Sequence, residues 1–402
     1  MLAYYLLLIL APFWQYSRLP QFGESLTLIK LVGVLSVLAA LARLMVHPRP
    51  LYLFRWAESR LFFLLTAIAL VSAAALSLSG WAYSPLFSYA SVAAFLFITL
   101  VFVDSIPRMQ AACCVIALSL LAASAYVFTA YFRWGADRPG GIFGDANYFA
   151  LAAICFLPAS LKLAPTVRGL QKWTLALASL AMIAAILLGA SRGGLLSLAC
   201  CAAYFVAQSQ RRVALTAGMV FAAVPLIALL PQTGLDRFTE QSYGAKVSTD
   251  ARWNLLKAGW SMVEQHPLTG VGLGNFKPLS GVYEETIVEG QIGHNTYLEI
   301  AAELGIPALI VFVLLLWCAW RSARLTAEYF RQAGESQAEG LARGFEVGIA
   351  CFAVGAAFLS AEYSKQFWML IFLTVALKRI AYLHATEAQH PAGVRDAVEA
   401  AV

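Results

Sequence analysis

The chain has 402 residues, 61% hydrophobic and only 12% charged, with a formal net charge of +6. Soluble domains carry about a quarter charged residues, so these proportions exclude a soluble globular protein and leave an all-α polytopic membrane protein. The charge is too small and too scattered for a nucleic-acid footprint, and its distribution between loops says more than its sum.

In chain order, twelve apolar segments are expected to cross the bilayer, approximately 1–14, 26–45, 61–79, 86–103, 111–131, 147–164, 173–190, 193–208, 213–230, 296–319, 344–361 and 366–383. The first is short for a full crossing. It lacks a basic n-region and a small-residue cleavage site, so it reads as a retained span and not a signal peptide. Trp173 to Gln208 forms one 36-residue apolar stretch broken only by Ser191-Arg192-Gly193-Gly194. A single helix of that length would run about 54 Å, far beyond a hydrocarbon core of about 30 Å. The chain must therefore turn back, and the glycine pair is where the turn is expected. The seven cysteines lie inside apolar runs without C-x-x-C spacing and read as packing residues.

This divides the chain into spans one to nine over 1–230, a polar loop over 231–295, spans ten to twelve over 296–383 and a tail over 384–402. Lys/Arg bias sets the orientation. Arg43, Arg49, Arg55, Arg60, Arg108, Lys162, Arg168, Arg211, Arg212, Lys378 and Arg379 fall on one side in short loops and at span ends. Both termini are then cytoplasmic and the large loop faces outward.

Outward-facing residues are where chemistry is expected. Arg138 opens a Gly-rich loop that leads through Asp145 to Asn147 at the start of a span; either residue can cap that helix, and Asn147 also stands as a weak site candidate. Arg192 sits at the tip of the tightest hairpin. It reads either as a snorkelling arginine or as an anion clamp whose flanking glycines admit a bulky head group.

Within the large loop, Asp250-Ala251-Arg252-Trp253 opens a helical pattern through about Gln265. Trp253, Leu256, Trp260 and Val263 make an apolar stripe, as in a helix lying on a membrane surface. Arg252 lies off that stripe, either solvated and paired to Asp250 or making a second anion contact. His266, with the alternating glycines Gly270, Gly272 and Gly274 after it, ends the helix and builds a compact turn. This is not a dinucleotide fingerprint, since no strand precedes it. His294, followed by Asn295, begins the return into the membrane, where a neutral imidazole is a good general base. Five histidines and no H-E-x-x-H pattern argue against a metal site. Tyr363, in the last outward turn, is a further weak candidate.

Four motifs in this order carry a resemblance: Gly141-Ile-Phe-Gly-Asp-Ala-Asn147, Ala190-Ser-Arg192-Gly-Gly, Arg252-Trp with His266 to Phe276, and His294-Asn-Thr-Tyr-Leu-Glu. Together they resemble the O-antigen ligase family, which includes O-antigen polymerases and O-linked oligosaccharyltransferases. The family signature fits His294, Asn295 and Gly305 but departs at Ala308, where Gly, Thr or Tyr is usual. The resemblance implies an undecaprenyl-diphosphate-linked glycan donor bound by Arg192 and Arg252, and a hydroxyl activated by His294. Asn295, Asn147, Arg138 and Tyr363 would support them. The acceptor it implies is lipid A-core, a second lipid-linked glycan or a protein, with ligation to lipid A-core favoured. The expected place is a bacterial inner membrane, among membrane lipids, with the active site periplasmic and with no cofactor or metal. A transporter of lipid-linked glycans is the competing reading; such proteins carry inverted repeats and charges near the midplane, whereas here the polar residues cluster outside.

Overall fold

The computed structural model describes residues 1–13, 27–76, 80–136, 139–212, 218, 243–287 and 290–387. Among them the chain is helical, with no strand. In chain order the helices are α1 (Leu2–Leu10), α2 (Leu28–Val46), α3 (Ala57–Ala75), α4 (Tyr83–Phe102), α5 (Ile106–Phe132), α6 (Ala146–Leu163) and α7 (Gly169–Leu188). They continue as α8 (Arg192–Gln208), α9 (Tyr243–Gln265), α10 (Phe276–Tyr283), α11 (Thr296–Gln332), α12 (Ser336–Gly355) and α13 (Lys365–Glu387).

Nine helices among the described residues are long and apolar enough to cross a membrane: α2 to α7 and α11 to α13. Of the other three expected spans, the first is the nine-residue α1 with one 3₁₀ turn after it. The 193–208 span is the 17-residue α8, and 213–230 lies almost wholly outside the described residues.

The reversal before α8 falls one step earlier than expected. Ala190 takes a left-handed φ of 44°, Ser191 caps α8 by accepting the Gly194 N–H at 3.0 Å, and Gly193 and Gly194 lie in the first helical turn. The glycines do not make the turn; they let other elements approach. A Cβ on Gly194 would stand 2.5 Å from Ala150 Cβ, and one on Gly193 would stand 2.9 Å from Phe358 Cβ.

Helices α6, α12 and α13 form the centre. Gly340, Gly344 and Gly348 recur every fourth residue on α12, and a Cβ on Gly344 would lie 2.3 Å from Ala159 Cα of α6. Small residues at this spacing let two backbones pack directly where lipid offers no hydrophobic drive. Helix α2, by contrast, is little buried along its length.

The two ends of the bundle differ in chemistry. At one end Arg43 (3.0 Å), Arg49 and Arg108 converge on Asp104, and Arg379 donates to Leu100 O at 2.5 Å. Burial alone would raise the Asp104 carboxyl; the Arg49 and Arg108 guanidiniums outweigh it and hold the carboxyl below its ordinary value. At the other end of α13 stand Lys365 and the turn before it, and there the candidate site residues gather.

Candidate active site

His294 is held by its backbone. Its φ is 50°, a conformation uncommon outside glycine, and its N–H donates to Ser360 Oγ at 3.0 Å. The Ser360 hydroxyl in turn donates to Glu299 Oε2, whose carboxyl also accepts from the Gly293 backbone. Next in sequence, Thr296 stitches the same seam: its N–H and hydroxyl both donate to Leu359 O, at 3.0 and 2.6 Å. Its Oγ1 accepts the Ala361 N–H at 2.9 Å. The half-buried imidazole therefore stands on a backbone fixed by the turn between α12 and α13.

Asn295 also has a structural task. Its side chain accepts the N–H groups of Tyr297 and Leu298, both at 3.1 Å, which makes it the N-cap of α11.

The arginine hairpin meets the same turn. Asp145 caps α6 by accepting the Asn147 N–H at 2.6 Å, and buried Asn147 accepts the Ser191 hydroxyl at 2.6 Å. Asn147 thus ties the start of α6 to the start of α8, immediately beside Arg192. With Gly193 against Phe358 and Tyr148 donating to Ser360 O at 3.1 Å, the hairpin that carries Arg192, together with Asn147 and His294, borders the segment 358–361.

Glu303 organises the loop after α9. Its carboxylate accepts the N–H groups of Gly274 and Phe276 at 2.9 and 3.0 Å. The loop also pairs with α11 through Val271 N–H to Ala302 O, Gly272 N–H to Glu303 O, and Ile306 N–H to Pro267 O. Helix α11 is interrupted there: Gly305 has φ 84°, and a Cβ on it would lie 2.3 Å from Leu268 O.

Arg252 lies on α9, half-buried, about two turns ahead of Gly259, which packs on Leu298. The Trp253–Trp260 stripe is not the packing face; both tryptophans are about three-fifths exposed, at 60% and 61%. Leu255 and Met262 pack instead, with Phe276 and Ala302, because Ala258 and Gly259 beside them allow close approach to α11. Arg138 lies outside the described residues.

Tyr363 faces inward. Its ring meets Tyr89 edge-on at 5.7 Å, its hydroxyl donates to Glu303, and burial raises its phenol well above the ordinary value. Glu362 beside it is buried as well, and burial followed by the nearby Glu303 charge pushes its carboxyl up to about 8. Among the described residues no group of three or more His, Cys, Asp or Glu is placed to hold a metal ion.

Ser360, Glu299, Glu303, Glu362 and Tyr148 were given no role from sequence. A signal for two of them was present: Glu299 and Glu303 are acids four residues apart, hence on one face, at the head of an apolar helix. Acids at membrane depth mark function by default.

The fold and this cluster define a polytopic helical membrane protein with a buried polar seam at the end of the bundle opposite the Asp104 arginines. The family described as O-Antigen ligase matches residues 177–313, from α7 into α11. Over this stretch the chain is similar to the O-antigen ligase family. The matched segment holds Arg192, Arg252 and His294 but not Asn147 or Tyr363. No curated protein matches the chain.

Proposed function

We propose that the protein transfers a glycan from an undecaprenyl-diphosphate donor to an acceptor hydroxyl, most simply O-antigen ligation to lipid A-core at the periplasmic face of a bacterial inner membrane. The observation that carries this reading is the meeting of His294 and the Arg192 hairpin on one turn, 358–361, within a chain similar to this family over residues 177–313. Displacing a glycan from a lipid diphosphate needs charge stabilised on the leaving group and a proton removed from the acceptor. Arginines give bidentate, charge-assisted contacts to phosphate oxygens, the role assigned to Arg192 and Arg252. His294 takes the acceptor proton. Attack in line with the departing diphosphate inverts the anomeric centre, and the prenyl tail lies between helices. The reaction is metal-independent in this scheme because the arginines supply the positive charge.

The test uses purified protein in detergent with an undecaprenyl-diphosphate glycan, with and without lipid A-core, and with EDTA throughout. Transfer to lipid A-core that persists in EDTA and is lost in His294→Ala is the expected result. Laddering of the donor without that acceptor assigns a polymerase; transfer only to a protein acceptor assigns an oligosaccharyltransferase. Donor binding without turnover assigns a transporter.

A further inference from the structure

A cavity of about 180 Å³ opens beside the seam that fixes His294, walled by Tyr148, Glu299, Ser360, Glu362, Tyr363 and Gln366 among others. Most of these polar groups are already engaged within the protein. Tyr148 donates to Ser360 O, Ser360 to Glu299, Tyr363 to Glu303, and the Gln366 amide to Ala11 O at 3.2 Å.

Glu362 is engaged on one side only, its carboxyl accepting from its own backbone N–H and that of Ala361. It is only 4% exposed, yet its Oε2 has no hydrogen-bond partner among the described residues. The residue is not loosely placed, for its carbonyl accepts the Trp368 indole N–H at 2.8 Å. A fixed, buried oxygen without a partner costs stability, and such atoms call for a reason beyond the fold.

We propose that this cavity is a subsite for a sugar ring of the acceptor, with Glu362 hydrogen-bonding a hydroxyl that neighbours the one activated by His294. The proposal rests on the glycan-transfer reading above and narrows its acceptor to a glycolipid. A pyranose ring offers several adjacent hydroxyls and an apolar face. The cavity answers with carboxyl and phenol groups together with the apolar Phe143, Leu151 and Ile292. At about 30 Å³ for each water of bulk liquid it has room for a sugar ring, whereas a serine or threonine of a protein presents one hydroxyl and needs no polar chamber of that size.

The electrostatics agree. Glu362 faces Glu299 and Glu303 from α11, Tyr148 from α6, Tyr89 from α4 and its neighbour Tyr363. With its carboxyl pushed up to about 8, it is largely protonated near neutrality and both donates and accepts, as a sugar hydroxyl requires.

The test compares wild type, Glu362→Gln and Glu362→Leu, with lipid A-core and the undecaprenyl-diphosphate glycan varied in turn and thermal melting followed in parallel. Glutamine keeps a donor and an acceptor, so its acceptor KM should stay within about twofold of wild type. Leucine removes both, and losing one hydrogen bond should raise the acceptor KM about tenfold with donor KM unchanged. Because leucine also removes an unpartnered polar atom, its melting temperature should equal or exceed that of wild type. A leucine variant with unaltered acceptor KM overturns the subsite. So does one that melts early or does not fold while the glutamine variant raises acceptor and donor KM alike. Wild type that transfers only to protein also overturns it while leaving glycan transfer standing; wild type that transfers nothing removes both.

Discussion

The backbone N–H of His294 donates to the Ser360 hydroxyl at 3.0 Å, so the residue proposed as base is positioned through its main chain by a turn far along the sequence. Its left-handed φ of 50° is one that asparagine also tolerates. His294→Asn is therefore expected to melt close to wild type while losing about 10²- to 10⁴-fold in transfer rate, the usual worth of a general base. Initial rates and melting curves on the same preparations check this. A His294→Asn protein that turns over normally would assign the histidine a structural role.

The two arginines should act on the donor. Arg192→Ala and Arg252→Ala are each expected to cut transfer by about a hundredfold or more, as loss of a charge-stabilising group does. Lysine at position 192 should recover only part of it, since a point charge does not reproduce a planar fork. Steady-state kinetics with the donor varied decide the matter, and full activity in both alanine variants would remove the diphosphate clamp.

Asn295 gives a contrasting expectation. As the cap of α11 it should affect folding and not chemistry: Asn295→Ala is expected to cost about 1 kcal/mol of stability while transfer per folded molecule is kept. A melting shift measured beside specific activity separates the two. Lost activity at unchanged melting would return Asn295 to the catalytic group.

Glu362 makes stability depend on pH. Its carboxyl ordinarily titrates at 4.5 and in the folded protein at about 8, so the folded state binds this proton more tightly than the unfolded one. That contribution is complete below about 4.5 and is lost as pH rises through about 8. Wild-type melting temperature should fall across this window, and Glu362→Gln should fall less. A melting series in buffers of matched ionic strength provides the comparison; identical slopes would exclude a proton held at Glu362.

Much of the spanning architecture was legible from hydropathy, because a helix in lipid must satisfy its own backbone and so leaves a long apolar run. Length alone forced the reversal between α7 and α8. Its position was not legible, since Ala190 adopts a left-handed φ while Gly193 and Gly194 serve contacts with Phe358 and Ala150. Close approach between distant segments leaves no local pattern. The same holds for the packing face of α9, where Leu255 and Met262 pack beside Ala258 and Gly259. His294 and Arg192 could be proposed because their residue types stand out against hydrocarbon; Ser360 could not, because its contact is with a neighbour's backbone.

The carboxylate of Glu303 and the break at Gly305 bind the 267–276 loop to α11, although α10 and the chain up to His294 lie between them. In modular terms the outer loop therefore does not end where the polar sequence ends. Exchanging this loop between relatives with a joint at His294 would give the new loop a foreign anchor, whereas a joint placed beyond Pro307 carries lock and key across together.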